Sequence, residues 1–406
     1  MHNAVLIVCG GLLQVPAVPI ARELGLKVVI TDARADAPAM TLADEPVVLD
    51  IYDAPGHMKL VDELKKRYNL RGVFAEGADV EVTVAAAAQH AGVPGITVEA
   101  AMNTKNKARM RACFDRSGIP NPPWAEVDTC EAGLKAAESL GFPLVVKAVD
   151  NSASRGTTRV NDIDSLGPAI EIAKANSTNR TALLEGCYRG EEQSVEILFD
   201  ERGCCHHLNI VDRPFASDGN YAIELGHINP TRLGPAEREQ LFALTEQAAE
   251  ATGVRFGVFK ADTIWTNGGP RILEVTARLS GGFDCQYTTP LSSGRNFIRA
   301  AMRLAVGLPL DLNDLEHKWR KHAAAWVAFP KPGKVARIDG MDRVLRLPGV
   351  KEVFLRVRVG DVIQPYHDCA ARPAFVIAVG DTREEAVRSA QVGMEALVIE
   401  TEPDET

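Results

Sequence analysis

The sequence predicts an α/β and α+β protein: a parallel α/β domain at the N-terminus, a small lid domain, a central antiparallel sheet and a C-terminal cap. Three observations predict it. Strand and helix patterns alternate through residues 1–119, a Pro-rich link at Pro120, Pro122 and Pro123 ends that run, and hairpins and Val-rich strands follow. The expected boundaries are 1–119 for the first domain, 120–187 for the lid, 188–317 for the central unit and 318–406 for the cap. With 406 residues, 46% of them hydrophobic, the chain can bury more than one core.

The elements follow in order. "AVLIVCGG", "VPAVPIARELG" and "LKVVITDARAD" read strand, glycine turn, helix and strand, and "LRGVFAEGAD" with "VEVTVAAAAQHAGVP" adds a strand and a helix. Gly10 and Gly11 at the first strand's end and Asp32 at the second's suit a nicotinamide dinucleotide. Leu12, Leu13 and Gln14 then replace the rest of a GxGxxG fingerprint, so that reading is disfavoured. "TKNKARMRACFDRSGIP" is a basic helix ending in a turn. "FPLVVKAVDNSASRGTTRV" is strand, small-residue loop and strand, and "TALLEGCYRGEEQSVEILFD" is strand, turn and strand. An amphipathic helix over "RLGPAEREQLFALTEQAAEATG" precedes a hairpin, "GVFKADTIWTNGGPRILEVTARL", that turns at "NGG". The tail alternates strands such as "KEVFLRVRVGDVI" and "PAFVIAVGDTREEA" with glycine turns.

Charge and composition exclude several functions. A net charge of −9 argues against a nucleic-acid surface. No apolar run is long enough to span a bilayer, and "NAVLIVCGG" enters structure without a charged leader, so a soluble cytoplasmic protein is expected. The eight cysteines lack CxxC pairing and read as free thiols. "CCHH", Cys204 to His207, is expected to hold no metal, because neighbours on a strand point to opposite faces.

The chemistry gathers in four places. Lys147 ends an apolar strand before "NSASRG", whose Ser152, Ser154, Arg155 and Gly156 could fold over phosphate, since small side chains let backbone N–H groups approach. A surface hairpin with a terminal lysine is the plain alternative. Glu185 and Glu192 flank the turn "GCYRG", where backbone around Cys187 could meet a nucleotide base while a carboxylate takes ribose hydroxyls. Asp262 and Glu274 lie on opposite arms of the "NGG" hairpin, so cross-strand pairing can join two carboxylates that repel unless a cation sits between them. Hard oxygen ligands describe magnesium better than zinc. Period two places Glu274, Thr276 and Arg278 on one strand face, with a Glu274–Arg278 ion pair as the plain alternative.

In this order the features resemble the ATP-grasp superfamily across nearly the whole chain. The family's helix lysine, eleven residues before the glycine of "GIP", is matched by Lys107, and its strand lysine by Lys147. Its hinge and ribose glutamates are matched by Glu185 and Glu192, and its magnesium acids by Asp262 and Glu274, followed by a phosphate-facing Arg278. The family usually reads ExNxR. Thr276 replaces the asparagine here, which leaves direct metal ligation by its hydroxyl open.

Within the superfamily, "YAIELGHINPTRL" is similar to a segment of L-amino-acid ligases in which a glutamate and a histidine line the amino-acid pocket, and Glu224 and His227 fall on those positions. Support of a loop is the plain alternative. The resemblance implies ATP with Mg2+, or Mn2+ in its place, small-molecule carboxylate and amine substrates, and ligation through an acyl phosphate that releases ADP. A homodimer is left open. It implies charge stabilisation by Lys107, Lys147, Arg278 and the metal, a lid carrying "NSASRG" that excludes water, and His227 as acceptor of the amine proton or support for Glu224. Two other readings stand beside it: formyl or carboxyl transfer onto a nucleotide-precursor amine, for which "VCGGLLQ" and Arg34 would form a phosphate site, and a non-catalytic ATP sensor.

Overall fold

The computed structural model describes residues 1–216, 223–369 and 371–403. The first four strands form a wholly parallel sheet in the order Glu45–Val48, Lys27–Asp32, Asn3–Val8, Asn69–Phe74. Parallel strands need both faces covered, and these strands are accordingly continuous apolar runs. Val5, Ile7, Val28 and Ile30 pack with helix Ala17–Glu23 and with helix Phe297–Ala305 of the central unit. Leu6, Val8 and Val29 face helices Ala54–Lys65 and Glu81–Ala91. The first and central units thus share a core. A β-carbon on Gly72 would lie 2.3 Å from the Ala305 carbonyl oxygen, so only glycine permits this approach. Asp32 closes its own turn, accepting from the Gly10 and Arg34 amides at 2.9 Å each, which leaves it committed to backbone rather than to a ribose.

Just past this sheet, Glu76 is fully buried and neither carboxylate oxygen has a hydrogen-bond partner among the described residues. Burial pushes its pKa up to about 8. A carboxyl raised in the folded state stabilises the fold below its unfolded pKa and loses that contribution as pH rises through the folded value. Wild type should therefore lose stability relative to Glu76→Gln between pH 4.5 and about 8, by on the order of a few kcal/mol. Urea denaturation of both proteins at either end of that window checks it, and parallel pH dependences would refute it.

The lid is a second sheet, ordered Trp124–Val127, Ala182–Gly186, Leu144–Ala148, Thr158–Val160. Leu144, Val146 and Leu184 bury one face against helices Cys130–Leu140 and Leu166–Ala175. Lys147, between Val146 and Ala148, consequently points to the other face.

An eight-stranded antiparallel sheet follows: Gly269–Thr276, Gly257–Thr266, Glu191–Phe199, Cys205–Arg213, Gly226–Asn229, His322–Val327, Ala374–Gly380 and Val350–Leu355. It crosses the boundary expected at 317/318 without a break, because Gly226–Asn229 pairs with His322–Val327. Gly226 makes that pairing sterically feasible, since a β-carbon there would sit 2.0 Å from the Ala325 carbonyl oxygen. Helix Pro235–Thr252 covers the sheet's outer face. There Cys205 and His207, two residues apart and so on one face, meet Glu246 with their ligand-type atoms within 4.8 Å of one another. Adjacent residues of "CCHH" point to opposite faces, but this alternate pair shares one. His207 Nε2 lies 2.5 Å from the Glu246 carboxylate, and its ring stacks on Phe242 at 4.1 Å. A small sheet of Val362–Ile363, Gly333–Asp339 and Val398–Glu402 completes the C-terminal region. No helix among the described residues is long and apolar enough to cross a membrane.

Candidate active site

The inner face of the large sheet builds the site by strand period. Glu192 and Ser194 come from one strand, Val211 and Arg213 from the next, Lys260 and Asp262 from the third, and Glu274 and Thr276 from the edge. Asp262 stands directly opposite Glu274 in the ladder, as the hairpin reading expected, and opposite Ser194 on its other side. Three cations offset the acids. Lys260 Nζ lies 2.5 Å from Asp262, Arg213 Nη1 3.1 Å from Asp262, and Lys107 Nζ 2.8 Å from Glu274. Burial alone would raise the pKa of Asp262, but Arg213 and then Lys260 outweigh it and hold the carboxyl below its ordinary value.

Lys107 reaches this position because Asn106 caps the helix Lys107–Ser117 by accepting from the Arg109 amide, while the Lys107 amide donates to the Val149 carbonyl at 2.7 Å. Its Nζ also donates to the carbonyl of Asn151, at the start of the lid loop, at 2.5 Å. Lys147 Nζ lies 2.7 Å from Glu185, and Arg111 Nε holds the other Glu185 oxygen at 2.6 Å. Burial raises the Glu185 pKa, yet Arg111 and Lys147 overcome it and bring the carboxyl down to about 2. Glu185 therefore serves as the buried counter-ion of two cations, at the wall of the cavity where the sequence suggested a nucleotide group. Glu192 differs. Burial, only partly offset by Arg213 at 3.5 Å, raises it to about 7.

Two cavities open on this face. One, about 260 Å³, lies between the lid and the sheet and is lined by Lys107, Lys147, Glu185, Cys187, Glu192 and Ser154. The Cys187 amide is already donated to the Pro143 carbonyl at 3.2 Å. The other, about 480 Å³, opens toward the N-terminal and C-terminal units and is lined by Glu224, His227, Thr276, Arg278, Ser152 and Arg155, among others. The expected nucleotide residues are thus divided between the two, and Gly156 lines neither. Gly156 instead adopts a left-handed φ of +69° where a β-carbon would meet Asn176 at 2.7 Å. Both cavities share Arg213, Asp262 and Glu274.

The lid loop bridges the cleft. Ser152 lies beside Asp79 of the N-terminal unit and, against burial and after Arg278 and Lys105, helps hold its carboxyl below the usual range. The Ala153 carbonyl accepts from the Cys369 amide of the C-terminal unit at 2.9 Å, and the Ser154 hydroxyl lies 3.7 Å from the Cys369 sulfur. Asp79 also holds Arg278, with Nη2 at 2.5 Å and Nε at 3.0 Å. This corrects the strand-face reading. The strand ends at Thr276, so Arg278 turns to Asp79 and Glu274 pairs with Lys107.

Glu224 and His227 face the larger cavity from either side of a strand start; residues 221 and 222 of the segment that singled them out lie outside the described residues. Arg213 Nε donates to one Glu224 oxygen at 2.9 Å and Arg372 Nη1 to the other at 3.0 Å. Burial raises that carboxyl and the two arginines more than reverse it, to about 2. His227 Nε2 lies 3.0 Å from the Thr288 hydroxyl, which donates to Asp284 at 2.9 Å. Its chain of contacts runs to Asp284, so it does not orient Glu224 directly. Burial lowers its pKa against the opposing charges of Asp284 and Glu224, which favours the neutral ring.

The donor set fits a hard divalent cation. Asp262 and Glu274 are paired across the ladder and both line the shared cavity wall, and the hydroxyls of Thr276 and Ser194, both buried on the same face, lack hydrogen-bond partners among the described residues. Asp79, Arg213, Ser194 and Arg372 were not singled out from the sequence. Only Ser194 left a signal there, the period-two run Glu192, Ser194, Glu196.

A lid over a sheet that carries paired acids and cations is the ATP-grasp fold, the fold of a superfamily of ligases, and residues 140–286 match the ATP-grasp domain family. A second match is narrower. Residues 325–402 match the L-amino acid ligase C-terminal domain 2 family. The crystal structure of L-amino acid ligase from Bacillus licheniformis superposes with a TM-score of 0.83 at 26% identity, covering 99% of each chain. Formate-dependent phosphoribosylglycinamide formyltransferase from Methylococcus capsulatus is 26% identical over 394 residues, 91% of this chain and 89% of that one. Phosphoribosylglycinamide synthetase from Anaerococcus prevotii, with a TM-score of 0.76, 18% identity and coverage of 98% and 100%, shares the fold.

Proposed function

We propose that the protein is an ADP-forming carboxylate–amine ligase that activates the carboxylate of an amino acid as an acyl phosphate and joins it to an amine. The observation that carries this reading is the meeting of two cavities at Arg213, Asp262 and Glu274. ATP fits the smaller one, between the lid and the sheet, and the substrates fit the larger. A phosphoryl group passing between them would cross at the acid pair. The L-amino acid ligase match of the C-terminal strands supports an amino-acid donor.

Magnesium held by Asp262 and Glu274, with Thr276 or Ser194 beside them, would neutralise charge on the phosphates. The protein's own groups do the rest. Lys107 and Lys147, each fixed by a carboxylate, would supply positive charge toward the nucleotide without reorganising, and Arg278 would do so from its clamp on Asp79. The lid loop, tied to Cys369 and lying beside Asp79, would keep water from the acyl phosphate. The neutral His227 ring could accept the proton shed by the attacking amine.

The nucleotide-precursor alternative keeps part of its expected phosphate site: Gly11 and Leu12 to Gln14 line the larger cavity, while Arg34 is exposed and pairs with Asp36 at 3.8 Å and the Gly10 amide is spent on Asp32.

Hydroxylamine supplied with ATP, magnesium and single amino acids tests the reading. Transfer of the γ-phosphoryl group to the carboxylate would release ADP, and attack of the hydroxylamine nitrogen on the acyl carbon would then break the acyl–phosphate bond, giving a hydroxamate and inorganic phosphate. Release of AMP and pyrophosphate would mean adenylation and overturn the mechanism.

A further inference from the structure

Five arginines line the 480 Å³ cavity: Arg155, Arg213, Arg278, Arg356 and Arg372. Three are neutralised where they stand. Arg213 meets Asp262 and Glu224, Arg278 meets Asp79, and Arg372 meets Glu224. Arg155 bonds only the neutral Asn151 and Ser152 side chains, at 2.8 and 3.1 Å, and among the described residues no carboxylate lies within ion-pair distance of Arg155 or Arg356.

These two cations are also brought together. The Arg356 amide donates to the Pro373 carbonyl at 2.8 Å, next to Arg372. Arg372 Nε donates to the Cys369 carbonyl at 2.8 Å, and the Cys369 amide donates to Ala153, two residues before Arg155. Lid loop, strand end and C-terminal loop thus converge three guanidinium groups on one wall, where Arg372 alone is ion-paired, to Glu224. Enclosure in the cleft, then the charges of Arg372 and Arg155, lower the Arg356 guanidinium from its ordinary value against the opposing charge of Asp368.

Neither Arg155 nor Arg356 lines the smaller cavity, so the anion they await is not placed there. Arg356 follows the strand Val350–Leu355, at the opposite edge of the large sheet from Glu274. An anion on it is remote from the acid pair. A planar guanidinium takes carboxylate or phosphate in two parallel hydrogen bonds, and an inserted anion would also relieve the repulsion between the arginines.

We infer that one of the joined substrates carries an anionic group, a carboxylate or phosphate remote from the reacting carboxylate, which Arg356 binds together with Arg155. This rests on the ligase reading above and narrows it to acidic substrates.

The test pairs each acid with its neutral counterpart as donor and as acceptor: aspartate with asparagine, glutamate with glutamine, O-phosphoserine with serine. ADP release by wild type should favour the acidic members by ~10-fold or more in kcat/KM, the range for a hydrogen bond to a charged group. Arg356→Gln should erase that preference and leave neutral pairs within ~3-fold, while Arg356→Lys retains part of it. The carboxylate and phosphate arms separate the two kinds of anion. Equal losses for acidic and neutral substrates, a wild-type preference for the neutral ones, or a raised KM for ATP alone would each overturn the inference.

A second measurement needs no turnover. With Mg·ADP present, aspartate, glutamate or O-phosphoserine should raise the melting temperature of wild type but not of Arg356→Gln. If that shift appears while no pair releases ADP, the ligase reading falls and the anion site stands. If no acid produces a shift, the anion site falls, whatever the turnover.

Discussion

Glu274→Gln is expected to lower ADP-forming turnover by ~10²-fold or more. The carboxamide keeps the shape of the side chain and can still accept from Lys107, whose Nζ lies 2.8 Å from Glu274. It has no charge with which to attract a divalent cation beside Asp262. It also leaves the buried ammonium of Lys107 with only the Asn151 carbonyl as a formal acceptor of full strength, so a modest stability loss of ~1–3 kcal/mol should accompany the kinetic one. Steady-state ADP release at limiting and at saturating magnesium, with the melting temperature of each protein, separates the effects. Near wild-type turnover at limiting magnesium would remove Glu274 from the metal site.

Glu224→Gln is expected to weaken an α-amino-acid donor by ~1.5–3 kcal/mol in kcat/KM, the range for a hydrogen bond to a charged group, with ATP affinity unchanged. Each Glu224 oxygen already accepts from an arginine, Arg213 or Arg372, but a carboxylate oxygen has a second lone pair to offer an ammonium. The low pKa keeps the group charged through the whole working range of pH. The des-amino analogue of the same donor should lose far less. Equal losses for both donors would mean that the substitution had only unseated Arg213 and Arg372.

What the sequence made legible was local. The hairpin at "NGG" placed Asp262 opposite Glu274, because a turn and a period of two suffice to set a register. The strand–loop–strand of the lid, with Lys147 on its open face, followed from the same periodicity. Contacts between distant segments were not legible. Asp79 and Arg278 are separated by 199 positions, and no local pattern says that a loop after a parallel strand will meet the end of an antiparallel one. That is why Arg278 was read as a neighbour of Glu274. The partners of Glu185 were hidden for a related reason: its spacing fits a nucleotide hinge, and only the packed structure shows Arg111 and Lys147 on its two oxygens at the wall of the smaller cavity.

The unbroken sheet from Gly269–Thr276 to Val350–Leu355 constrains how such an enzyme could change its substrate. His227 sits on a strand whose next partner, His322–Val327, belongs to the C-terminal region, so excising that region would strip the backbone pairing from the strand that carries His227. Recombination at a linker cannot transplant the strand that carries His227 as a cassette. A chimera would have to be cut across hydrogen-bonded strands, and point substitution along the facing strands is the shorter evolutionary path.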